Sequence, residues 1–256
     1  MRGLKDKRIL IAGGATGIGA ATAKRLASEG VAVVIGDINI EGAESVVRSI
    51  EDNGGKAYAF KFDLADETSI RSLIDFTIEK LGGLDGIANI GADVSDATAG
   101  NDIEVLEMQL PIWEKTLNTN LIGYALVIKY GLPHLKNAGG GYIVNTTSAA
   151  FHIGEKVRPA YAASKAGVNT LTRHIASTYG KDDVRCNCVS PGAVLTETGL
   201  SKLSEDFQAQ ILAGTPLNRL GKPEDLANTI AFLLSDEAEW ITGQVWSING
   251  GAGYRE

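Results

Sequence analysis

Seven short apolar runs, most of them rich in Val and Ile, recur along the chain, and a longer stretch separates each from the next. The runs are RILIA (8–12), VAVVIG (31–36), KAYAFK (56–61), LDGIA (84–88), GYIVNTT (141–147), DVRCNCV (183–189) and QVWSI (244–248). Between them apolar residues recur at helical spacing, at about 17–29, 40–53, 67–80, 112–131, 160–179 and 224–234. A helix after each strand returns the chain to where it began, so the next strand lies parallel to the last through a right-handed crossover. Seven such strands predict an α/β fold: a doubly wound, mostly parallel sheet with helices on both faces. No repeat, low-complexity segment or linker breaks the alternation, so residues 1–256 are expected to form one domain. With 44% hydrophobic residues there is enough apolar surface for its core.

Two stretches break the rhythm, 89–111 and 190–216, and both follow the C-terminal end of a strand. Ligands of open α/β sheets bind at those ends, and long loops there tend to be functional. Residues of about 193–216 are expected to form a substrate loop or lid. Leu195, Leu200, Leu203, Phe207, Ile211 and Leu212 give part of it an apolar face that suits an apolar or cyclic ligand, or packs on the domain or a partner subunit. His152, Lys156 and Arg158 lie in another loop, where they could receive a carboxylate or remain solvated.

RILIAGGATGIGAATAKRLASEG reads as strand, turn, helix. Gly13, Gly17 and Gly19 permit a tight turn and close approach of backbone to a pyrophosphate, at which the helix aims its N-terminal amides. A glycine triplet alone is weak; the flanking strand and helix supply the context it requires. The loop has no lysine to grip a terminal phosphate, which disfavours ATP. Asp37 ends the second strand, where a carboxylate can accept from a ribose 2′-OH and would repel a 2′-phosphate. Neither Thr16 nor Ile38 offers a cation, so NAD is expected over NADP. The competing role for Asp37 is to cap the helix starting near Ile40. Asp63, after the third strand, could meet the adenine edge or cap the next helix.

Tyr161 and Lys165 stand four apart in YAASK, so a helix sets phenol and ammonium on one face. A neighbouring cation favours phenolate and lowers the phenol pKa from about 10, giving a proton acceptor usable near neutrality. Ser148 ends the fifth strand and can orient a substrate oxygen, and Pro159 suits the entry to the next helix. Each residue alone is ordinary; together, at one strand–helix junction beside a dinucleotide loop, they describe removal of an alcohol proton alongside hydride transfer.

In the order and spacing of these motifs the whole chain resembles the single-domain short-chain dehydrogenases/reductases of about 250 residues. The resemblance rests on Gly13, Gly17, Gly19, Asp63, the Asn89–Gly91 turn, Asn120 in NLIG, the Ser148–Tyr161–Lys165 set, and SPG followed by VLT (Pro191, Gly192, Val194, Thr196). It implies NAD(P)-dependent oxidation of alcohols or reduction of carbonyls. By the same implication Asn120 joins Ser148, Tyr161 and Lys165 as a catalytic residue that helps hold a relay water. Lys165 also binds the nicotinamide ribose, and Val194 and Thr196 hold the carboxamide. Asn89 and Gly91 border the adenosine ribose and cofactor channel, and Ile18, Ile38, Leu64, Pro191 and Gly192 complete the cofactor contacts. A homotetramer is implied too, using the C-terminal sheet edge and the helices near Asn120 and Tyr161. Two positions depart from the pattern. Ala12 replaces a threonine and Ile90 an alanine within Asn-Asn-Ala-Gly, so that Ala88 and Asn89 stand for the paired asparagines. Cofactor binding is expected to weaken by about 1 kcal/mol per lost hydrogen bond.

The charge of −7 and pI near 5.1 leave no basic stripe for nucleic acid. No run of 18 apolar residues suggests a membrane span. The opening residues run straight into a strand without the apolar run of a signal peptide, which predicts a cytoplasmic enzyme. Cys186 and Cys188 share one face of a strand with no further ligand nearby, so they read as small apolar residues and no metal is expected. A non-catalytic NAD sensor on the same fold is the main alternative, and an epimerase relative would need another glycine spacing and a larger C-terminal domain.

Overall fold

The strand runs pair as their period requires. In β1 (Arg8–Ala12) Ile9 and Ile11 join the core on one face of the sheet while Leu10 and Ala12 join that on the other. The structure, a computed structural model, describes residues 1–150, 154–197, 199 and 203–253. The further strands are β2 (Ala32–Asp37), β3 (Lys56–Lys61), β4 (Gly86–Asn89), β5 (Gly141–Thr146), β6 (Val184–Pro191) and β7 (Val245–Ile248). They form one seven-stranded sheet in the order β3-β2-β1-β4-β5-β6-β7, and every pairing is parallel. The order reverses between β1 and β4, which opens the ligand crevice at their C-terminal ends.

Helices cover both faces. On one, α1 (Gly17–Ser28), α2 (Ile40–Glu51) and α8 (Pro223–Leu233) bury Leu26, Val46, Ile50, Leu226 and Ile230. On the other, α3 (Glu67–Leu81), α5 (Gly123–Asn137) and α6 (Pro159–Tyr179) bury Ile70, Leu73, Val127, Ile128, Val168 and Ile175. Each such side chain contributes about 1.5–3 kcal/mol on leaving water.

The helix expected over 112–131 is instead two. α4 (Leu110–Leu117) meets α5 through a π-helical turn, Asn118–Ile122. A π turn admits one extra residue without breaking the helical run, so the apolar pattern alone does not reveal it. The helix after β3 is capped by Asp66, which accepts from the Thr68 amide at 2.8 Å, and α2 by Asn39, which accepts from Gly42 at 3.0 Å. The capping roles considered for Asp63 and Asp37 therefore belong to other residues. A short α7 (Glu205–Ala213) rises from the second irregular stretch, capped by Ser204. Among the described residues no helix is long and apolar enough to cross a membrane.

Candidate active site

The glycine loop is packed so closely that side chains have no room. Gly13 has φ +93°, and a Cβ there would lie 2.2 Å from the Gly91 Cα; one on Gly19 would lie 1.9 Å from the Gly13 carbonyl oxygen. Gly17, at φ +52°, faces the Thr196 methyl across the crevice, 3.1 Å from where its Cβ would sit. Thr16 precedes α1 in extended conformation and makes no capping bond, and Ile18 packs on the core. The first amides of α1 have no intrahelical acceptors and carry the positive end of its dipole. At Ala12, where the resemblance expects a hydroxyl, the backbone makes the tie: the Ala12 carbonyl accepts from the Ile90 and Gly91 amides at 2.9 and 2.8 Å. Glycine backbone, unpaired amides and the switch point between β1 and β4 fit a dinucleotide.

Asp37 reaches into this loop. Its carboxylate accepts from the Ala15 amide at 2.9 Å and the Asn39 amide at 2.9 Å, while Ile38 beside it is exposed. Asp63 accepts from the Ala65 amide at 2.8 Å, and Leu64 is buried beneath Gly91. Asn89 is fully buried, and its amide donates to the Asn145 side chain at 2.9 Å, which in turn donates to Thr172. Its side chain thus joins β4 to β5 and α6.

Ser148, Tyr161 and Lys165 come together at the end of β5. The β5–β6 pairing runs on past the strand, with the Thr147 amide on the Val189 carbonyl and the Ala149 amide on that of Pro191. This fixes Ser148. The Thr147 hydroxyl donates to the Lys165 carbonyl at 2.8 Å and fastens α6 to the strand end. Lys165 is 1% exposed. Its ammonium donates to the Thr146 carbonyl at 3.0 Å and sits 5.0 Å from the centre of the Tyr124 ring and 5.9 Å from that of Tyr161. Burial lowers its pKa from 10.5 to about 8.

The phenol departs from expectation. Burial pushes the Tyr161 pKa up; hydrogen bonding to Ser148 and the charge of Arg158, 5.5 Å from the ring centre, oppose that rise. The Lys165 ammonium, held by the Thr146 carbonyl, lies over the Tyr161 ring rather than at its hydroxyl. The Tyr124 phenol is fully buried and without a hydrogen-bond partner, and its ring also faces the Lys165 ammonium. Cys188 and Cys186 are buried as expected, and burial raises the Cys188 thiol to about 12, which leaves it inert.

Asn120, in the π turn, is fully buried and tied to the loop after β4. Its side chain accepts from the Asp93 amide at 2.8 Å and donates to the Asp93 carbonyl at 3.3 Å. At the far end of that loop Asp102 bonds the first turn of α6 through both carboxylate oxygens. Sequence reasoning passed Asp102 over, since one acid in an irregular stretch has no period. The available hint was Arg158-Pro159 at a helix start, where no side chain able to cap precedes the proline.

After β6 the Gly192 amide donates to the Ile248 carbonyl at 3.0 Å, and Val194 pairs with Gly221 and buries its side chain. Pro191 ends β6, and the Thr196 methyl lies against Gly17. In the expected lid Leu203 and Phe207 are exposed, and no described residue of α7 is buried. His152 and Leu200 lie outside the described residues. Lys156 is exposed, and Arg158 pairs with Glu155 at 2.6 Å.

A family model described as enoyl-(acyl carrier protein) reductase, of the short-chain dehydrogenase group, matches residues 13–253. The cis-4-hydroxycyclohexanecarboxylate dehydrogenase of Sinomonas cyclohexanicum is 39% identical, over 96% of this chain and 96% of that protein. The cyclohexanol dehydrogenase of an Acinetobacter species is 36% identical, over 96% and 94%. Among solved structures, a 7α-hydroxysteroid dehydrogenase complexed with NADH and 7-oxo glycochenodeoxycholic acid superposes with a TM-score of 0.89 at 32% identity, covering 99% of this chain and 97% of that one. The chain belongs to the short-chain dehydrogenase/reductase family, oxidoreductases that act on CH–OH groups with a nicotinamide cofactor.

Proposed function

We propose that this enzyme interconverts ring-bearing secondary alcohols and their ketones with NAD, and that Tyr161 carries the proton. The convergence of Ser148, Tyr161 and Lys165 at the crevice beside the glycine loop carries this reading. Ser148 holds the substrate oxygen, and Tyr161 takes the alcohol proton or returns it to the carbonyl oxygen. The buried Lys165 stabilises the phenolate through the ring face and reaches the cofactor ribose. Asn120 fixes the loop beneath them and, through the π turn, supports a relay water. Bound along Gly13 to Gly19, Asp63, Leu64, Asn89, Gly91 and Pro191 to Thr196, the nicotinamide cofactor supplies or accepts the hydride. Nothing in the site favours a sensor without turnover.

The relatives named for cyclohexane-ring and steroid alcohols, with the apolar Leu203, Phe207, Ile211 and Leu212 as part of a lid, support a cyclic substrate. A panel of cyclohexanol, 4-hydroxycyclohexanecarboxylate and a 7α-hydroxysteroid, read by absorbance of the reduced nicotinamide, tests this. Activity confined to open-chain alcohols would refute it. Exposed Val105, Leu106, Leu110, Ile122 and Trp240 together with the open β7 edge support a homotetramer. The free buried cysteines are compatible with a cytoplasmic setting.

Asp37 supports NAD over NADP. Asp37→Ala removes the charge that would repel a 2′-phosphate, and also the acceptor of the Ala15 amide. The expected result in paired kinetics is a fall in kcat/KM with NAD and a rise with NADP. A wild type that already prefers NADP would sink the carboxylate argument.

The raised phenol fixes the sign of the pH dependence. Oxidation needs phenolate, which is scarce at neutrality, whereas reduction needs the phenol, which is abundant. We expect kcat/KM for cyclohexanol to climb from pH 7 to pH 10 by up to about tenfold per unit, while that for cyclohexanone stays flat over the lower part of this range. A flat oxidation profile would contradict the direction given for Tyr161.

A further inference from the structure

The helix that bears Tyr161 and Lys165 begins without a cap of its own. Its N-cap residue, Arg158, stands in the left-handed region at φ 65°, ψ 46°, and makes no side-chain capping bond. An arginine has no acceptor to offer. Pro159 follows and has no N–H, so the orphan donors of the first turn are the amides of Ala160 and Tyr161. Both go to Asp102, fifty-nine positions upstream of Tyr161. The Ala160 amide donates to Oδ1 at 3.1 Å and the Tyr161 amide to Oδ2 at 2.9 Å. The Arg158 amide donates to the Asp102 main-chain carbonyl at 2.6 Å, and the next amide, Ala162, returns to the Arg158 carbonyl at 3.0 Å. The accounting is complete: one residue from a distant loop satisfies every donor from 158 to 161 that lacks a partner in the helix.

Asp102 is 3% exposed, and the Arg158 guanidinium that could have competed for it is engaged by Glu155. The loop that delivers it is held at its other end by the Asn120 side chain on the Asp93 backbone. Near Asp93 it is stiffened further: that carboxylate accepts from the Ser95 amide at 3.0 Å, from the hydroxyls of Ser95 and Thr98 at 2.6 and 2.7 Å, and pairs with Lys115 at 3.3 Å. Residues 93–102 thus run as a strap from the Asn120 side chain to the backbone of Tyr161.

We propose that Asp102 is a positioning residue for the reaction: capping α6 from outside, it sets the height and rotation at which Tyr161 meets Ser148 and the substrate oxygen. The proposal rests on Tyr161 as the proton carrier. A misplacement of about 1 Å at such a group can cost up to about 10²-fold in rate, and Asp102 bonds the backbone of Tyr161 itself.

The test compares Asp102→Ala and Asp102→Asn in the full-length enzyme. Turnover of cyclohexanol and of cyclohexanol deuterated at the carbinol carbon is read alongside NAD affinity and binding stoichiometry. Alanine removes both acceptors; asparagine keeps one oxygen and turns an NH2 toward the other amide. We expect kcat per NAD-binding site to fall at least tenfold in Asp102→Ala and severalfold in Asp102→Asn. NAD affinity should stay within about twofold, and the deuterium isotope effect on kcat should rise as the chemical step becomes limiting. A cap that served folding alone would lower the number of NAD sites and leave kcat per site and the isotope effect unchanged; that result overturns the proposal. So does wild-type kcat in Asp102→Asn, the variant that decides if the alanine form does not fold. Normal turnover of a Tyr161→Phe control would instead remove the assignment of Tyr161, a failure separable from that of Asp102.

Discussion

Tyr161→Phe should bind NAD as the wild type does and lose turnover of secondary alcohols by at least about 10²-fold, the low end of what a general acid–base supplies. The variant deletes one oxygen. The ring that remains keeps its place under the Arg158 guanidinium and beside the Lys165 ammonium, so the fold and the cofactor binding proposed for Lys165 should persist. What goes is the hydroxyl proposed to exchange the proton, with its hydrogen bond to Ser148. Steady-state kinetics with cyclohexanol, paired with NAD binding by fluorescence, separates the two effects. Turnover within tenfold of wild type would return Tyr161 to an ordinary place on an amphipathic helix.

Lys165→Met should be equally inactive and yet more stable. The ammonium is enclosed with one hydrogen-bond acceptor, the Thr146 carbonyl, and burial lowers its pKa from 10.5 to about 8. At about 1.4 kcal/mol per pH unit, that drop corresponds to about 3.5 kcal/mol of folding free energy lost to the buried charge. The sign follows from proton counting. Between pH 8 and pH 10.5 the unfolded chain binds this proton and the folded one has released it, so wild-type stability gains as pH rises through that window; below pH 8 the penalty is present in full. Methionine fills a similar volume without a charge. After about 1 kcal/mol for the Thr146 carbonyl left unpaired, we expect a net gain of about 2.5 kcal/mol at pH 7. Thermal melts should show a Tm higher by several degrees at pH 7 and a smaller difference at pH 10. A melting point lower at pH 7 than in the wild type would show that the lysine contributes more to the fold than its burial costs.

Much of this enzyme was legible in its residues because the governing signals are local. Short apolar runs rich in Val and Ile, helices between them and a glycine loop in strand–turn–helix context led to the sheet and the family, and YAASK with Ser148 led to the junction of β5 and α6. What stayed hidden depends on contacts between distant segments. The π turn at 118–122 keeps a helical pattern of side chains while changing the backbone. Asp102 acts across fifty-nine positions on a helix whose own first residues only hint that a cap is missing. The capping roles weighed for Asp37 and Asp63 fell to Asn39 and Asp66, because a chain leaving a strand end can turn into its helix a few residues later than local chemistry implies. The phenol was expected to be acidified by Lys165; only three-dimensional burial revealed the opposite direction.

The strand order carries a consequence for how this chain reaches its native state. Neighbouring strands are never joined by a tight turn, and the central pair requires Ile9 to find Gly86. Synthesis therefore releases the β3-β2-β1 portion first, with the inner border of β1 exposed until β4 emerges from the ribosome. Closing such distant pairings is slow, and an unzipped border of Ile9, Leu10 and Ile11 is a template for a second nascent chain. Refolding should accordingly be slow and concentration-sensitive, with losses that grow as protein concentration rises.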